Sequence, residues 1–398
     1  MTVTIDFECA HFGQDAPGGT EDDTYGVSGT GGVGGTTSTV RRVGIIGLGL
    51  IGGSVALNLL GKLELVGYDI DAETINAAQD LGIPTVSHID ALVSFADLIM
   101  ICTPIESFQS VANLVAESYQ KHASAESRHS LVVADTCSVK RAVHSWASRM
   151  EEVGIYFVGS HPMAGKHNNG IRAADPALFA NHSWALSITD TTDLTALLAV
   201  AQIIIGMQAE LVPVDPAMHD RSVAIVSHLP HVIASVMATM LANDTSSALG
   251  SSLAAGSFED MVRVAGSPPS LSSQMCNANL DLLLDAFQHF QTALEPARDA
   301  LASANDVPSI LNGFFTEGNK AYASIHASGD PASTYASMDI ISTVFSLDDQ
   351  RTLYNWMLGL GHGGGRIVEI GYPSPAEVAI SFILPPKFAA TPKPASPG

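Results

Sequence analysis

An apolar run, Arg42-Val43-Gly44-Ile45-Ile46, passes directly into the glycine-spaced turn Gly47-Leu48-Gly49-Leu50-Ile51-Gly52-Gly53, and Asp69 follows about 20 residues on. A short apolar run of this kind reads as a fully buried parallel strand. Gly47 permits a tight turn, Gly49 lets backbone amides approach a pyrophosphate, and Gly52 lets the next helix pack closely on the strand. Ser54 to Leu60 reads as that helix, with unpaired N–H groups at its amino end for phosphates. A second strand, Leu65 to Tyr68, ends at Asp69, whose carboxylate suits two ribose hydroxyls and repels a 2′-phosphate. The pattern therefore predicts a dinucleotide-binding unit that prefers NAD to NADP.

At 398 residues the chain exceeds what one core usually serves, and 46% hydrophobic residues are ample for more than one domain. The net charge of -22 argues against nucleic acid or an anionic membrane surface as a partner. An anionic substrate must then be held by local cations. No uninterrupted run of about 20 apolar residues is present, the longest candidate, Leu197 to Met207, being broken by Gln202, so no membrane span is expected. Cys9, Cys102, Cys137 and Cys276 lie far apart with no CxxC pair, which suggests neither zinc nor a disulfide framework and fits the cytoplasm.

Residues 1–40 are rich in Gly, Thr and Asp and lack Lys and Arg, which predicts a disordered acidic leader. From 41 to 215 apolar runs alternate with helical stretches. Ala96 to Cys102, Leu131 to Asp135, Tyr156 to Gly159, Trp184 to Ile188 and Glu210 to Val214 are expected as further strands of one open sheet. The fold class expected is α/β, an N-terminal Rossmann-type doubly wound sheet followed by an all-helical dimerisation domain. That helical domain is assigned to 216–345, where Ala/Leu/Met-rich helices apolar nearly all round call for cover by a homodimer partner. Residues 346–398 read as a small appended unit with two strands, Arg366 to Tyr372 and Glu377 to Leu384, and a loose tail from Pro385.

Open α/β sheets place ligands at the carboxyl ends of their strands, and three motifs fall there. Thr103-Pro104 follows one strand, where the threonine either lines the nicotinamide side of the cofactor or caps a helix. Asp135-Thr136-Cys137-Ser138-Val139-Lys140 follows the next, with Ser138 either catalytic or a cap. His161, in Gly159-Ser160-His161-Pro162-Met163-Ala164-Gly165, is fixed by a proline and flanked by glycines. Its imidazole titrates near working pH and suits a general base. Downstream, Pro230 should kink or interrupt the helix carrying His219, Asp220, His228 and His231, so that His219 and His231 reach a site from different segments or different subunits. His228 and His231 share a face at i,i+3, but no Cys or acidic cluster completes a metal site.

The glycine turn, Asp135 to Lys140, His161 to Gly165, His219-Asp220, Ser227-His228-Leu229-Pro230-His231 and Arg263-Val264-Ala265-Gly266-Ser267 occur in the order that resembles the prephenate dehydrogenase family, including its arogenate-specific members. The likeness covers roughly residues 41 to 300. It implies oxidative decarboxylation of prephenate or arogenate, with NAD or NADP taking the hydride, on the tyrosine branch of aromatic biosynthesis. It further implies His161 as catalytic base, Ser138 as the serine that hydrogen-bonds near the substrate hydroxyl and orients that histidine, and Arg263 as a carboxylate clamp. His231 reads as a substrate-pocket residue, His219 with Asp220 as supporting structure or pocket lining, and His228 as a core histidine. Cys137 stands where many relatives have glycine. The appended unit suggests an incomplete ACT-type module. The competing readings are a β-hydroxyacid-type dehydrogenase, for which no helical-domain lysine is convincing, and a non-catalytic NAD-binding regulatory protein.

Overall fold

The computed structural model describes residues 40–122, 130–166, 168–302, 307–325 and 339–385. The acidic leader up to residue 39 and the tail after Pro385 lie outside the described residues. In chain order the first half comprises β1(Arg42–Ile46), α1(Leu50–Leu59), β2(Glu64–Tyr68), α2(Ala72–Asp80), α3(Ile89–Phe95), β3(Leu98–Ile101), α4(Ile105–His122), β4(Val132–Asp135), α5(Arg141–Glu152), β5(Tyr156–Val158), β6(Ser160–Pro162), β7(Ser183–Ser187), α6(Leu194–Gly206) and β8(Glu210–Val214). The second half comprises α7(Pro216–Val223), α8(Leu229–Asn243), α9(Ser247–Leu253), α10(Gly256–Val262), α11(Pro269–Ala278), α12(Leu280–Ala302), α13(Val307–Ile325), β9(Ile341–Ser346), α14(Gln350–His362), β10(Arg366–Ser374) and β11(Glu377–Ile383).

The first five strands form a parallel sheet of order β2-β1-β3-β4-β5. Every residue of β3 and β4 is buried, as expected of strands covered on both faces. The strands from Trp184 and Glu210 do not extend this sheet, contrary to the single-sheet expectation. They belong to a second sheet of order β6-β7-β8-β10-β11-β9. The physical cause is the turn at Gly159. There the chain passes so close to His144 and Ser187 that a Cβ would come within 2.8 Å and 3.1 Å of them, and the Ser187 amide donates to the Gly159 carbonyl at 2.8 Å. The following strand, β6, then runs antiparallel to β7. Helix α6 is apolar on every face because it is buried between the sheets, against β5 on one side and β8 and β10 on the other.

The appended segment contains three strands and a helix rather than two strands. It continues the second sheet through the Ile367–Leu211 register pair and the half-buried Arg366–Glu210 ion pair. Its first strand, β9, begins at Ile341, within the stretch read as helical; the helix preceding it among the described residues, α13, ends at Ile325.

Helices α7 and α8 are continuous. A π turn, Ala224–His228, joins them into one helix of 28 residues, Pro216–Asn243, long and apolar enough by length and composition to cross a membrane. Its charged and imidazole side chains interrupt the apolar run, which is why an uninterrupted-run criterion passes over it. The helix is not interrupted at Pro230. Pro230 directly follows the π turn, where the regular i→i−4 ladder is already interrupted, so its missing N–H costs little. The helical segment has a small buried cluster, Ala224, Leu229, Leu283 and Ala286, and leaves Val236, Met240, Leu249, Leu284 and Phe315 exposed.

Candidate active site

The glycine turn is shaped for close approach. Gly47 has φ +92°, which disfavours any residue with a Cβ, and a Cβ there would meet the Cys102 carbonyl at 2.8 Å. A Cβ on Gly52 would lie 1.9 Å from the Gly47 carbonyl oxygen, so the helix packs onto the turn only with glycine in place. Gly49 faces open space with nothing within 4 Å of a built Cβ, and no side chain caps α1. The first-turn amides of α1 are thus available to an anion. Asp69 accepts hydrogen bonds from the Leu48 amide at 2.7 Å and the Asp71 amide at 3.0 Å, which ties the ribose-side carboxylate to the turn. The Thr103 hydroxyl, at the end of β3 and beside Gly47, is buried without a partner. This cradle and orphaned hydroxyl fit a dinucleotide, with Gly47, Gly49, Gly52, Asp69 and Thr103 as the residues that would hold it.

The carboxyl end of β4 brings the catalytic candidates next to this turn. Cys102, which flanks Gly52, also contacts Thr136, so the two loops share a wall. Asp135 is fully buried and organises its surroundings: it accepts from the Cys137 amide at 2.8 Å, the Ser160 amide at 2.9 Å and the Lys140 ammonium. Lys140, also fully buried, donates to the Ser160 carbonyl at 2.6 Å. Ser160 in turn accepts from Trp184 Nε1 at 3.0 Å. These bonds pin the loop carrying half-buried Ser138 to the residue immediately before His161. Lys140 had no role in the sequence reading. The available signal was its position in the Asp135–Lys140 strand-end motif.

His161 Nδ1 lies 3.0 Å from His219 Nε2, and His219 Nδ1 lies 2.8 Å from Asp220 Oδ1. Asp220 also accepts from the Lys140 amide at 2.6 Å and the Arg141 amide at 2.9 Å. The structure therefore brings His161 and His219 together and adds Asp220 behind them. Arg263 and His231 lie on neighbouring, packed elements of the helical half. Arg263 is exposed on a 3-10 turn, Arg263–Gly266, that packs on α8, and Ser267 Oγ sits 3.5 Å from His231 Nε2. His231 also lines a mainly apolar, open groove of about 780 Å³ between α8 and α11. His228 is fully buried, with Nδ1 3.3 Å from Asn279 Nδ2 and Nε2 unpartnered.

Electrostatics favour neutral imidazoles. Burial, reinforced by His219, Lys140 and His228, holds His161 well below its usual pKa. Burial lowers His219 as well, against the opposing pull of Asp220. Burial alone would raise the Asp220 carboxyl, but hydrogen bonds from His219 and the Arg141 and Lys140 amides outweigh it and hold it below the ordinary carboxylate range. A neutral imidazole with an ionised carboxylate behind it is equipped to accept a proton. Among the described residues no cluster of three or more His, Cys, Asp or Glu could hold a metal.

Residues 56–213 match the family described as Prephenate dehydrogenase, nucleotide-binding domain, and residues 215–315 match Prephenate dehydrogenase, dimerization domain. The prephenate dehydrogenase of Bacillus subtilis (strain 168) is 33% identical over 262 residues, covering 64% of this chain and 68% of the relative. The crystal structure of the Aquifex aeolicus prephenate dehydrogenase with hydroxyphenyl propionate and NAD+ aligns with a TM-score of 0.63 at 26% identity, covering 72% of this chain and 98% of that one. Synechocystis arogenate dehydrogenase aligns with a TM-score of 0.58 at 27% identity, over 71% and 100% of the two chains. With the glycine turn, the histidine at the sheet end and the helical second half in place, the chain belongs to the prephenate dehydrogenase family.

Proposed function

We propose that His161 is the base in an NAD-dependent oxidative decarboxylation of prephenate to 4-hydroxyphenylpyruvate, or of arogenate to tyrosine, in tyrosine biosynthesis. The observation that carries the reading is the state of the His161 ring. Its Nδ1 is engaged by His219 and its pKa is depressed, which leaves a neutral ring with Nε2 available to a substrate hydroxyl. When bound, NAD supplies the acceptor for the C4 hydride. His161 Nε2 takes the hydroxyl proton as the C4–O pair becomes a carbonyl. Loss of CO2 then leaves its bonding pair to close the aromatic ring, and the ring oxygen recovers the proton. Ser138 hydrogen-bonds near that hydroxyl. Arg263 holds a substrate carboxylate through its guanidinium fork, with His231 beside it.

The carboxylate of Asp69 supports a preference for NAD over NADP. The dimerization-domain match and the exposed apolar helices support a homodimer. Free thiols at Cys102, Cys137 and Cys276 support a reducing cytoplasm. A spectrophotometric assay should offer prephenate and arogenate in parallel, each with NAD and with NADP. At least one substrate should be oxidised, with a higher kcat/KM for NAD. His161→Asn should retain NAD affinity while kcat falls by about 10² or more. Failure to oxidise either substrate, or an unchanged kcat in the variant, would overturn the assignment, and equal kcat/KM for the two cofactors would remove the role given to Asp69.

A further inference from the structure

The hydrogen bonds behind His161 leave little freedom in where its protons sit. Ionised Asp220 is an acceptor only, and both its oxygens already receive backbone amides, Oδ1 from Lys140 at 2.6 Å and Oδ2 from Arg141 at 2.9 Å. His219 must therefore present Nδ1–H to Asp220 across 2.8 Å, which makes its Nε2 a lone pair. The 3.0 Å contact with that lone pair requires a proton on His161 Nδ1 and leaves His161 Nε2 bare. His219, 4% exposed, has both ring nitrogens committed in this chain of bonds.

We infer that Asp220 and His219 are positioning residues, which fix His161 in the tautomer that can accept a proton at Nε2 and offset the charge that then appears on the ring. The inference rests on the reading of His161 as the base. It places His219 behind that base rather than against the substrate. The step needs no second transfer: the hydroxyl proton bonds to His161 Nε2, Nδ1–H stays in place, and the imidazolium faces the Asp220 carboxylate across a neutral His219. Other charged or titratable groups facing the pair are Lys140 and Asp135 from the β4 loop, Arg141 and His144 from α5, and His228 from the π turn. Asp220 has a further anchor in the helical half, because Asn279 Nδ2 donates to its carbonyl at 2.7 Å.

Asp220→Asn provides the test in the full-length enzyme. An amide at this position must either turn its NH2 toward the Arg141 amide or toward His219, and the second choice reverses both imidazole tautomers. The expected result is a fall in kcat on the order of 10² or more, with KM for substrate and Kd for NAD within about threefold. The acid limb of the kcat profile should move to lower pH, because the lost anion favoured the protonated ring. In a His161→Asn background the same substitution should change the residual rate by less than about twofold. Independent losses in the double variant, or a KM that rises as kcat falls, would overturn the inference while leaving His161 as base intact. An unchanged kcat in His161→Asn alone would instead reject the base itself. Should Asp220→Asn fail to fold, nitrogen-15 spectra of labelled histidines in the unmodified enzyme decide the matter: an unprotonated Nε2 on both His161 and His219 is expected, and a protonated His161 Nε2 at neutral pH would overturn the assignment.

Discussion

At the scale of single residues, the site is a set of imidazoles kept neutral by their surroundings. Burial depresses His161 and His219, and takes His144 and His228 down to about 4. An unfolded chain binds protons on these rings below about pH 6.5, whereas the folded chain does not. The unfolded state is then the one that gains as pH falls. Stability should be constant above that pH and decline toward about pH 4, and urea midpoints measured at several pH values check this. A midpoint that rises on acidification would contradict the buried-neutral reading. His161 could be picked out from its strand-end setting and His219 as a supporting or pocket residue, but their direct contact could not, because the two are 58 residues apart and meet only through tertiary packing. Lys140 was hidden for a different reason. Lysine is normally solvated, and only the fold shows that its ammonium is buried between Asp135 and the Ser160 carbonyl.

At the scale of elements, the strand-turn-helix was readable in detail because all of its determinants are local in sequence. Its glycines differ in what they do, and substitutions should separate them. Gly52→Ala puts a methyl group into the Gly47 carbonyl and should lower stability by about 1–3 kcal/mol, seen as a lower urea midpoint. Gly49→Ala meets no protein atom, so the midpoint should hold while NAD binding, followed by titration, weakens severalfold. Equal effects of both on stability would show that Gly49 is a packing glycine. The helix from Pro216 was readable as a helix but not in its course. Proline suggests a break, and whether a π turn can absorb the irregularity depends on the packing around Ala224 and His228.

At the scale of the whole molecule, the division into a Rossmann-type sheet followed by long helices was visible in the alternation of patterns. The second sheet was not. A buried strand carries no mark of which sheet it joins, and the pairing of β8 with β10 links residues 156 positions apart. The exposed apolar residues of the helical segment lead to a prediction at this scale. Val236 and Met240 are 51% and 62% exposed on one helix. For the proposed homodimer, replacing both with glutamate should move the protein from dimer to monomer in light scattering, since charge in the core of such an interface is costly. An unaltered dimer mass would place the interface elsewhere.

Asp220 belongs to the helical half, whereas His161, Lys140 and Arg141 belong to the half that binds the nucleotide. Competence for proton transfer is therefore a property of the docked pair of halves. Within the whole chain, undocking of the helical half would leave the glycine cradle in place yet leave His161 with nothing to dictate its protonation.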